Sequence, residues 1–416
     1  MRILFTTFGS FGDLHPYIAI GRELRKLGHE AAIATSAAYR EKIEAEGLGF
    51  EPVRPDISLA DREVIGYFFD RARGTERVIR AMASVIRETY EDTAAVAPRY
   101  DAIVTHPLSF AAVMAAEKLK IPWISSVLAP GSFLSAYDPP VPAPVPWLVK
   151  VRALGPGAMR AVWRAFSPLM LRWMRPILEF RRELGLGTGA NPLFEGAHSP
   201  GLVLALFSRV FAQPQPDWPK QAVVTGFPFL EAPAGDLAPE LESFFDSGPP
   251  PVIFTLGSSA VAAAGDFYTV SLKAIERLGA RALFLTGGHA QGLPERLPPC
   301  AMAWPYAPHE RIFPRASAIV HQGGIGTTAQ GLRSGRPMLV VPFAHDQFDN
   351  AEHVRRLGIS VTIPRRKFNE RSAAISLRRL LSDASYRAAS AAVGDKIRPE
   401  NGAFTAASEI NRFAAQ

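Results

Sequence analysis

The chain has 416 residues, enough for two or three domains at roughly 100–200 residues each. It is 48% hydrophobic and 20% charged, which supports a large buried core and excludes a disordered or fibrous chain. Lys and Arg total 46 against 39 Asp and Glu, and the net +7 is too diffuse to imply nucleic-acid binding; the single cysteine, Cys300, excludes a disulfide framework and a Cys-based metal site.

No export signal is visible at the N-terminus. The apolar stretch after Met1-Arg2 breaks at Gly9-Ser10 and reaches Asp13, so a cytoplasmic location is the expectation. Arg2–Phe8 reads as a strand and His15–His29 as a helix, with Ile18, Leu24 and Leu27 inward. Ala31–Thr35, Asp101–Thr105 and Trp123–Leu128 read as further strands, and Phe110–Leu119 as a helix. Strands that alternate with helices predict a parallel, doubly wound α/β domain.

Residues 138–146 carry so many prolines that an extended loop is expected. Trp147–Arg182 holds three tryptophans and eight basic residues against one acid, Glu179. Helices with a mixed apolar and basic surface are predicted there, either packed normally with solvated Arg heads or resting on a membrane. Gln213–Pro219 looks like an interdomain linker. Beyond it the alternation restarts. Strands are predicted at Val252–Leu256, Ala282–Thr286, Ala318–His321 and Met338–Pro342, and helices at Phe267–Leu278, Thr327–Ser334 and Asn350–Leu357. The uncharged run 247–265 is interrupted by Gly, Ser and Pro and reads as loop, buried strand and loop, not a membrane span. The expected domains are 1–213, a linker at 214–220, and 221–385. A helical tail at 386–416 could pack back on the first domain.

Four motifs carry chemistry. His321-Gln322-Gly323-Gly324-Ile325-Gly326-Thr327-Thr328 follows a strand and opens a helix. Its glycines allow close backbone approach, and free N–H groups at a helix start favour a phosphate. It is not a Walker loop, because no Lys follows the glycines. Asp346-Gln347 follows the strand ending at Pro342 and suits sugar hydroxyls; the alternative is that Asp346 only caps a helix. In Phe8-Gly9-Ser10-Phe11-Gly12-Asp13-Leu14-His15-Pro16, Asp13 is a candidate base and His15 a second, or Asp13 simply caps the helix. Trp304-Pro305-Tyr306-Ala307-Pro308-His309 offers aromatic rings for a nucleobase, or core packing. No Asp-x-Asp pair and no Gly-x-Ser-x-Gly elbow occur, which disfavours a metal-bridged diphosphate site and an α/β-hydrolase.

In this order the motifs resemble the two-domain GT-B glycosyltransferases, specifically the inverting, nucleotide-sugar-dependent family 1. Thr225-Gly226-Phe227-Pro228 and Ala344–Glu352 are similar to the rhamnolipid-type rhamnosyltransferases. The resemblance implies two Rossmann-like domains facing a cleft, a dTDP- or UDP-linked donor, no cofactor and no metal. It implies Asp13 as general base. His321, Gly324, Gly326, Thr327 and Thr328 would hold the diphosphate, with Ser258 assisting. Tyr306 and His309 would frame the base, and Asp346 and Gln347 would bind the sugar. Many UDP-sugar relatives carry a Glu where Ala329 stands, so dTDP is expected ahead of UDP. Relatives with a His base pair it with an Asp that Thr105-His106-Pro107 does not supply, so Asp13 is expected to act unaided. Phe11, His15, His106, Phe133 and part of Trp147–Arg182 are the expected acceptor contacts. They predict a small lipophilic acceptor, a hydroxylated lipid or an aromatic natural product. The competing readings are a GT-B sugar-nucleotide epimerase and a non-catalytic binding partner of a transferase.

Overall fold

The computed structural model describes residues 1–56, 62–187, 189–232, 235–288 and 292–414. Two parallel sheets organise them. The first contains β1 (Arg2–Thr6), β2 (Glu30–Thr35), β3 (Gly49–Pro52), β4 (Ala102–Thr105), β5 (Trp123–Val127), β6 (Val203–Ala205) and β7 (Ala222–Val224). Their order is β3-β2-β1-β4-β5-β6-β7. The second contains β8 (Val252–Thr255), β9 (Ala282–Leu285), β10 (Ala301–Trp304), β11 (Ala318–His321), β12 (Met338–Val340) and β13 (Ser360–Thr362), in the order β10-β9-β8-β11-β12-β13. The central strands are mostly apolar and almost wholly buried, as parallel sheets between helices require.

The order of each sheet reverses once, between β1 and β4 and between β8 and β11. Side chains leaving the carboxyl ends of such a strand pair point into a natural crevice. Asp13 follows β1 and His106 follows β4. The Gly257 turn follows β8 and His321 ends β11. The topology therefore delivers the motif residues to one place in each domain.

Two boundaries differ from expectation. β7 pairs with β6 in the first sheet, so the stretch 214–220 lies inside the N-terminal domain and the crossing follows Val224. A Pro-rich stretch breaks strands whether or not it joins domains, and composition does not tell the two apart. The C-terminal tail also divides. Helix Ala384–Ile397 packs beside helix Ile325–Ser334, whereas helix Gly402–Ala414 lies against the first helix, Phe11–Lys26. Ala403, Ala406, Ala407 and Ile410 share the N-terminal core with Ile3, Phe5 and Leu14.

The 147–182 region forms a 3-10 helix, Pro146–Leu154, and α-helices Pro156–Trp173 and Arg175–Glu183. Trp163 and Met159 are buried, and buried Arg181 pairs with Glu117 at 2.7 Å. The run 247–265 contains β8 and a short 3-10 helix, Ala260–Ala263. Among the described residues no helix is long and apolar enough to cross a membrane.

Candidate active site

The turn after β1 folds back on itself. Ser10 caps helix Phe11–Lys26, its Oγ accepting from the Gly12 N–H. Asp13, at the third helical position, completes a capping box: its Oδ2 accepts from the Ser10 N–H at 2.7 Å and the Ser10 Oγ–H at 3.1 Å. Gly9 has φ +129°, and a Cβ there would lie 2.3 Å from Asp13 Oδ2. Only glycine lets the carboxylate take this position.

The other oxygen, Oδ1, lies 3.3 Å from His106 Nε2. His106 Nδ1 accepts the Leu108 N–H at 3.1 Å, which places the ring proton on Nε2, facing Asp13. Two expectations are corrected. Capping does not exclude a base role, because the cap uses Oδ2 and leaves a lone pair of Oδ1 free. Asp13 is also not unaided: buried His106 engages it instead of lying free as an acceptor contact. Three donors occupy three of the roughly four lone-pair positions of the carboxylate, leaving one on Oδ1.

Phe11 is exposed beside this turn, its ring 5.3 Å from both His15 and Tyr39. His15 is driven down to about 4 by desolvation, with Lys42 adding to the effect. It is neutral at neutral pH. Phe133 is half-buried, its ring stacked 4.1 Å from Trp218 and packed near Phe207 against a core cluster.

The facing wall comes from the C-terminal domain. His321 is fully buried, and its Nδ1 accepts the Gly323 N–H at 3.1 Å. The proton is again on Nε2, and this N–H has no protein partner. Gly324 caps helix Ile325–Ser334 without a side chain, leaving the first N–H groups open. Thr328 Oγ1 and Gln322 Oε1 are also buried without partners. Thr327 is buried beside them. Gly257 has φ +65°, and a Cβ there would meet Gln322 Nε2 at 2.6 Å and Thr327 Oγ1 at 3.3 Å. Ser258 is exposed in the same turn. A Cβ on Gly326 would reach Gly12 Cα at 4.0 Å, so the amino ends of two helices, one per domain, meet across the cleft.

Burial and His309 together push His321 down to about 3, and burial and His15 push His309 to about 4. Three histidines thus line this cleft uncharged. His309 stacks on Phe313 at 4.4 Å, and exposed Tyr306 lies 6.5 Å from it.

Asp346 occupies the capping position of helix Gln347–Arg356, but its side chain caps nothing. Its Oδ2 accepts from Asn350 Nδ2 at 2.7 Å, and the same amide donates to the Gly323 carbonyl at 2.9 Å. Desolvation, with Asp13 and Asp349 adding repulsion, raises Asp346 to about 7. Gln347 Oε1 accepts from the N–H groups of Phe343 and Ala344 at 2.8 and 3.1 Å. Its NH2 is what remains for a ligand. His345, at φ +55°, reaches the N-terminal domain, edge-on to Phe69 at 5.3 Å.

Sequence reasoning missed the His106–Asp13 pair, Gln322 and His345. His106 carried a signal, a histidine at the end of the strand beside β1. Gln322 and His345 sat inside motifs whose neighbours drew the attention.

Residues 3–137 match the family described as Glycosyltransferase family 28 N-terminal domain, and residues 282–410 match Erythromycin biosynthesis protein CIII-like, C-terminal domain. Over 425 residues the chain is 30% identical to the O-mycaminosyltylonolide 6-deoxyallosyltransferase of Streptomyces fradiae, covering 100% of this chain and 98% of that one. The chain belongs to the GT-B glycosyltransferases. This glycosyltransferase is also 28% identical to the sterol 3-beta-glucosyltransferase of Yarrowia lipolytica, spanning 99% of its own length but 29% of that longer protein. In fold it is similar to the spinosyn rhamnosyltransferase SpnG complexed with thymidine diphosphate. That TM-score is 0.70, at 19% identity, over 98% of this chain and 100% of the other.

Proposed function

We propose that this glycosyltransferase is an inverting O-glycosyltransferase that moves a sugar from a nucleoside diphosphate to a hydroxyl of a small lipophilic acceptor. The observation that carries the reading is the set of unpartnered donors at the start of helix Ile325–Ser334. The buried His321 Nε2–H, the Thr328 hydroxyl and the open helix N–H groups face the Asp13–His106 pair. Leaving buried donors unmade costs about 1–3 kcal/mol each, and a diphosphate would repay it.

The step is a single displacement. Asp13 Oδ1 takes the proton of the acceptor hydroxyl while its oxygen attacks the anomeric carbon. The bond from that carbon to the diphosphate oxygen breaks, and the electron pair leaves with the diphosphate. His106, donating to Oδ1, holds the carboxylate in place. Because the cleft histidines are neutral, the growing negative charge falls to the helix N–H groups and the His321 and Thr328 donors. The sugar rests on Asp346 and the Gln347 amide, with Tyr306 and the His309 backbone framing the base. We assign thymidine diphosphate ahead of uridine diphosphate, because Ala329 offers no carboxylate for a ribose 2′-hydroxyl. The SpnG–thymidine diphosphate complex supports that order. The O-mycaminosyltylonolide and sterol acceptors named for the two relatives support a lipophilic alcohol.

The test gives the protein equimolar dTDP-rhamnose and UDP-glucose, a hydroxy-fatty-acid lipid and a polyhydroxylated aromatic, with and without excess EDTA. Mass spectrometry should find a deoxyhexose adduct, unchanged by the chelator. A hexose adduct overturns the nucleotide order. Loss of product in EDTA overturns metal-free charge stabilisation. Donor binding without any adduct overturns the transferase reading for this acceptor class.

A further inference from the structure

The 147–178 surface is unused by this chemistry, and it combines two properties that solvated surfaces avoid. It exposes large apolar side chains: Trp147 at 62%, Leu154 at 75%, Phe166 at 40% and Leu169 at 44%. It also lacks any Asp or Glu from Trp147 to Leu178, while carrying Lys150, Arg152, Arg160, Arg164, Arg172 and Arg175. Arg152 is tied to Asp138 and Arg175 to Glu179, and Arg160 lies over the Tyr137 ring. Lys150, Arg164 and Arg172 have no ion pair among the described residues.

Helix Pro156–Trp173 separates the two properties. At about 100° per residue, Met159 and Trp163 fall on the inward face, where they are buried. On the same spacing Phe166 falls about 20° from Met159, at the edge of the inward face, Leu169 about 60° further round, and Arg172, Arg164 and Arg160 follow in that order across the outer face. Apolar side chains beside cations fit the boundary of an anionic bilayer, where rings and Leu side chains enter the acyl edge and guanidinium groups meet phosphates.

We infer that the Trp147–Arg175 surface docks on an anionic lipid membrane, holding the N-terminal domain at the bilayer. The occupant is lipid because the cations this surface leaves without an ion pair, Lys150, Arg164 and Arg172, are matched by no unpaired acid from Trp147 to Leu178. An ordinary protein surface interleaves both signs, whereas an anionic leaflet is uniformly negative.

The test is flotation of the full-length protein with vesicles of equal parts phosphatidylglycerol and phosphatidylcholine, against phosphatidylcholine alone. Binding is expected only to the anionic vesicles, falling as salt rises. Arg164→Gln with Arg172→Gln should weaken it about 30-fold, two cations at ~1 kcal/mol each. Phe166→Ser with Leu169→Ser should weaken it comparably. All four positions are exposed, so an unchanged thermal midpoint will show that the variants fold. Trp147 emission should shift to the blue on vesicles, and Trp147→Phe should remove that shift. No flotation overturns the proposal, as does flotation that these variants leave unchanged. A concentration-dependent dimer lost in Phe166→Ser/Leu169→Ser, without flotation, assigns the face to a second copy and also overturns it.

Discussion

On the proposed mechanism Asp13 has two roles on two oxygens, and substitutions separate them. Asp13→Asn keeps an oxygen to accept from Ser10, so the cap survives. It removes the base, and kcat should fall at least 100-fold with little change in thermal midpoint. Asp13→Ala loses both, and the midpoint should drop by the equivalent of about 1 kcal/mol as well. Steady-state kinetics beside a thermal melt check both, and near-normal kcat in Asp13→Asn removes the base assignment. Asp346 adds a pH signature. Its folded value of about 7 stands above its ordinary 3.8. The folded chain therefore binds this proton more tightly, and stability is lost as pH rises from about 4 through 7. Asp346→Asn retains an acceptor for Asn350 and removes the charge. It should raise unfolding stability at pH 8 by on the order of 1–3 kcal/mol and much less at pH 5. Equal gains at both pH values in denaturant titrations would contradict this. The residue types at these positions were legible in the sequence. Their environments were not, because raising Asp346 to about 7 takes burial and the approach of Asp13 from 333 positions away.

At the scale of elements, the proposed donor wall depends on where one helix begins. Gly323 has φ +92°, and a Cβ there would lie 2.9 Å from the Gln347 carbonyl oxygen and 3.0 Å from Val340 Cγ1. Gly323→Ala thus strains the backbone and pushes apart the two loops that Asn350 ties together. Donor affinity should fall at least tenfold, as seen by calorimetry with thymidine diphosphate, with overall stability lower by about 1–3 kcal/mol. Unchanged affinity would mean that this turn does not hold the diphosphate. Apolar strands and helices bounded by loop residues were readable. Phe110–Leu119, Phe267–Leu278 and Ala318–His321 appear with the expected bounds. β3, β6, β7, β10 and β13 were not: three or four residues give no period, and strands as short as β11 and β12 stood out only beside the helix that follows each. β3 also contains a glycine and a proline, which weaken any strand signal. Tertiary pairing alone makes these segments strands.

At the scale of the molecule, the chain crosses between its domains twice and tethers them on the way. Asp349 Oδ1 of the C-terminal domain accepts the Val141 N–H at 3.0 Å, and Arg356 holds Asp138 at 2.8 Å. The second crossing is the final helix. It fills the outer side of helix Phe11–Lys26, the element that carries Asp13. Gly402 packs so closely that a Cβ would lie 2.5 Å from the Gly226 backbone, and Asn411 bonds to His29 at 2.8 Å. Residues of helix Gly402–Ala414 are therefore core residues of the first domain. Ile410 is fully buried there. Ile410→Ala should destabilise by about 2–4 kcal/mol, an expected loss of about 2–4 °C per kcal/mol for a domain of this size. The damage should be local, because Ile410 lies in the N-terminal core, which helix Ile325–Ser334 joins only through its first residue, Ile325. At a temperature where the variant has lost transferase activity, thymidine diphosphate should still bind. If activity and nucleotide binding disappear at the same temperature, the two domains unfold as one unit, and the tether couples them more strongly than its contacts indicate.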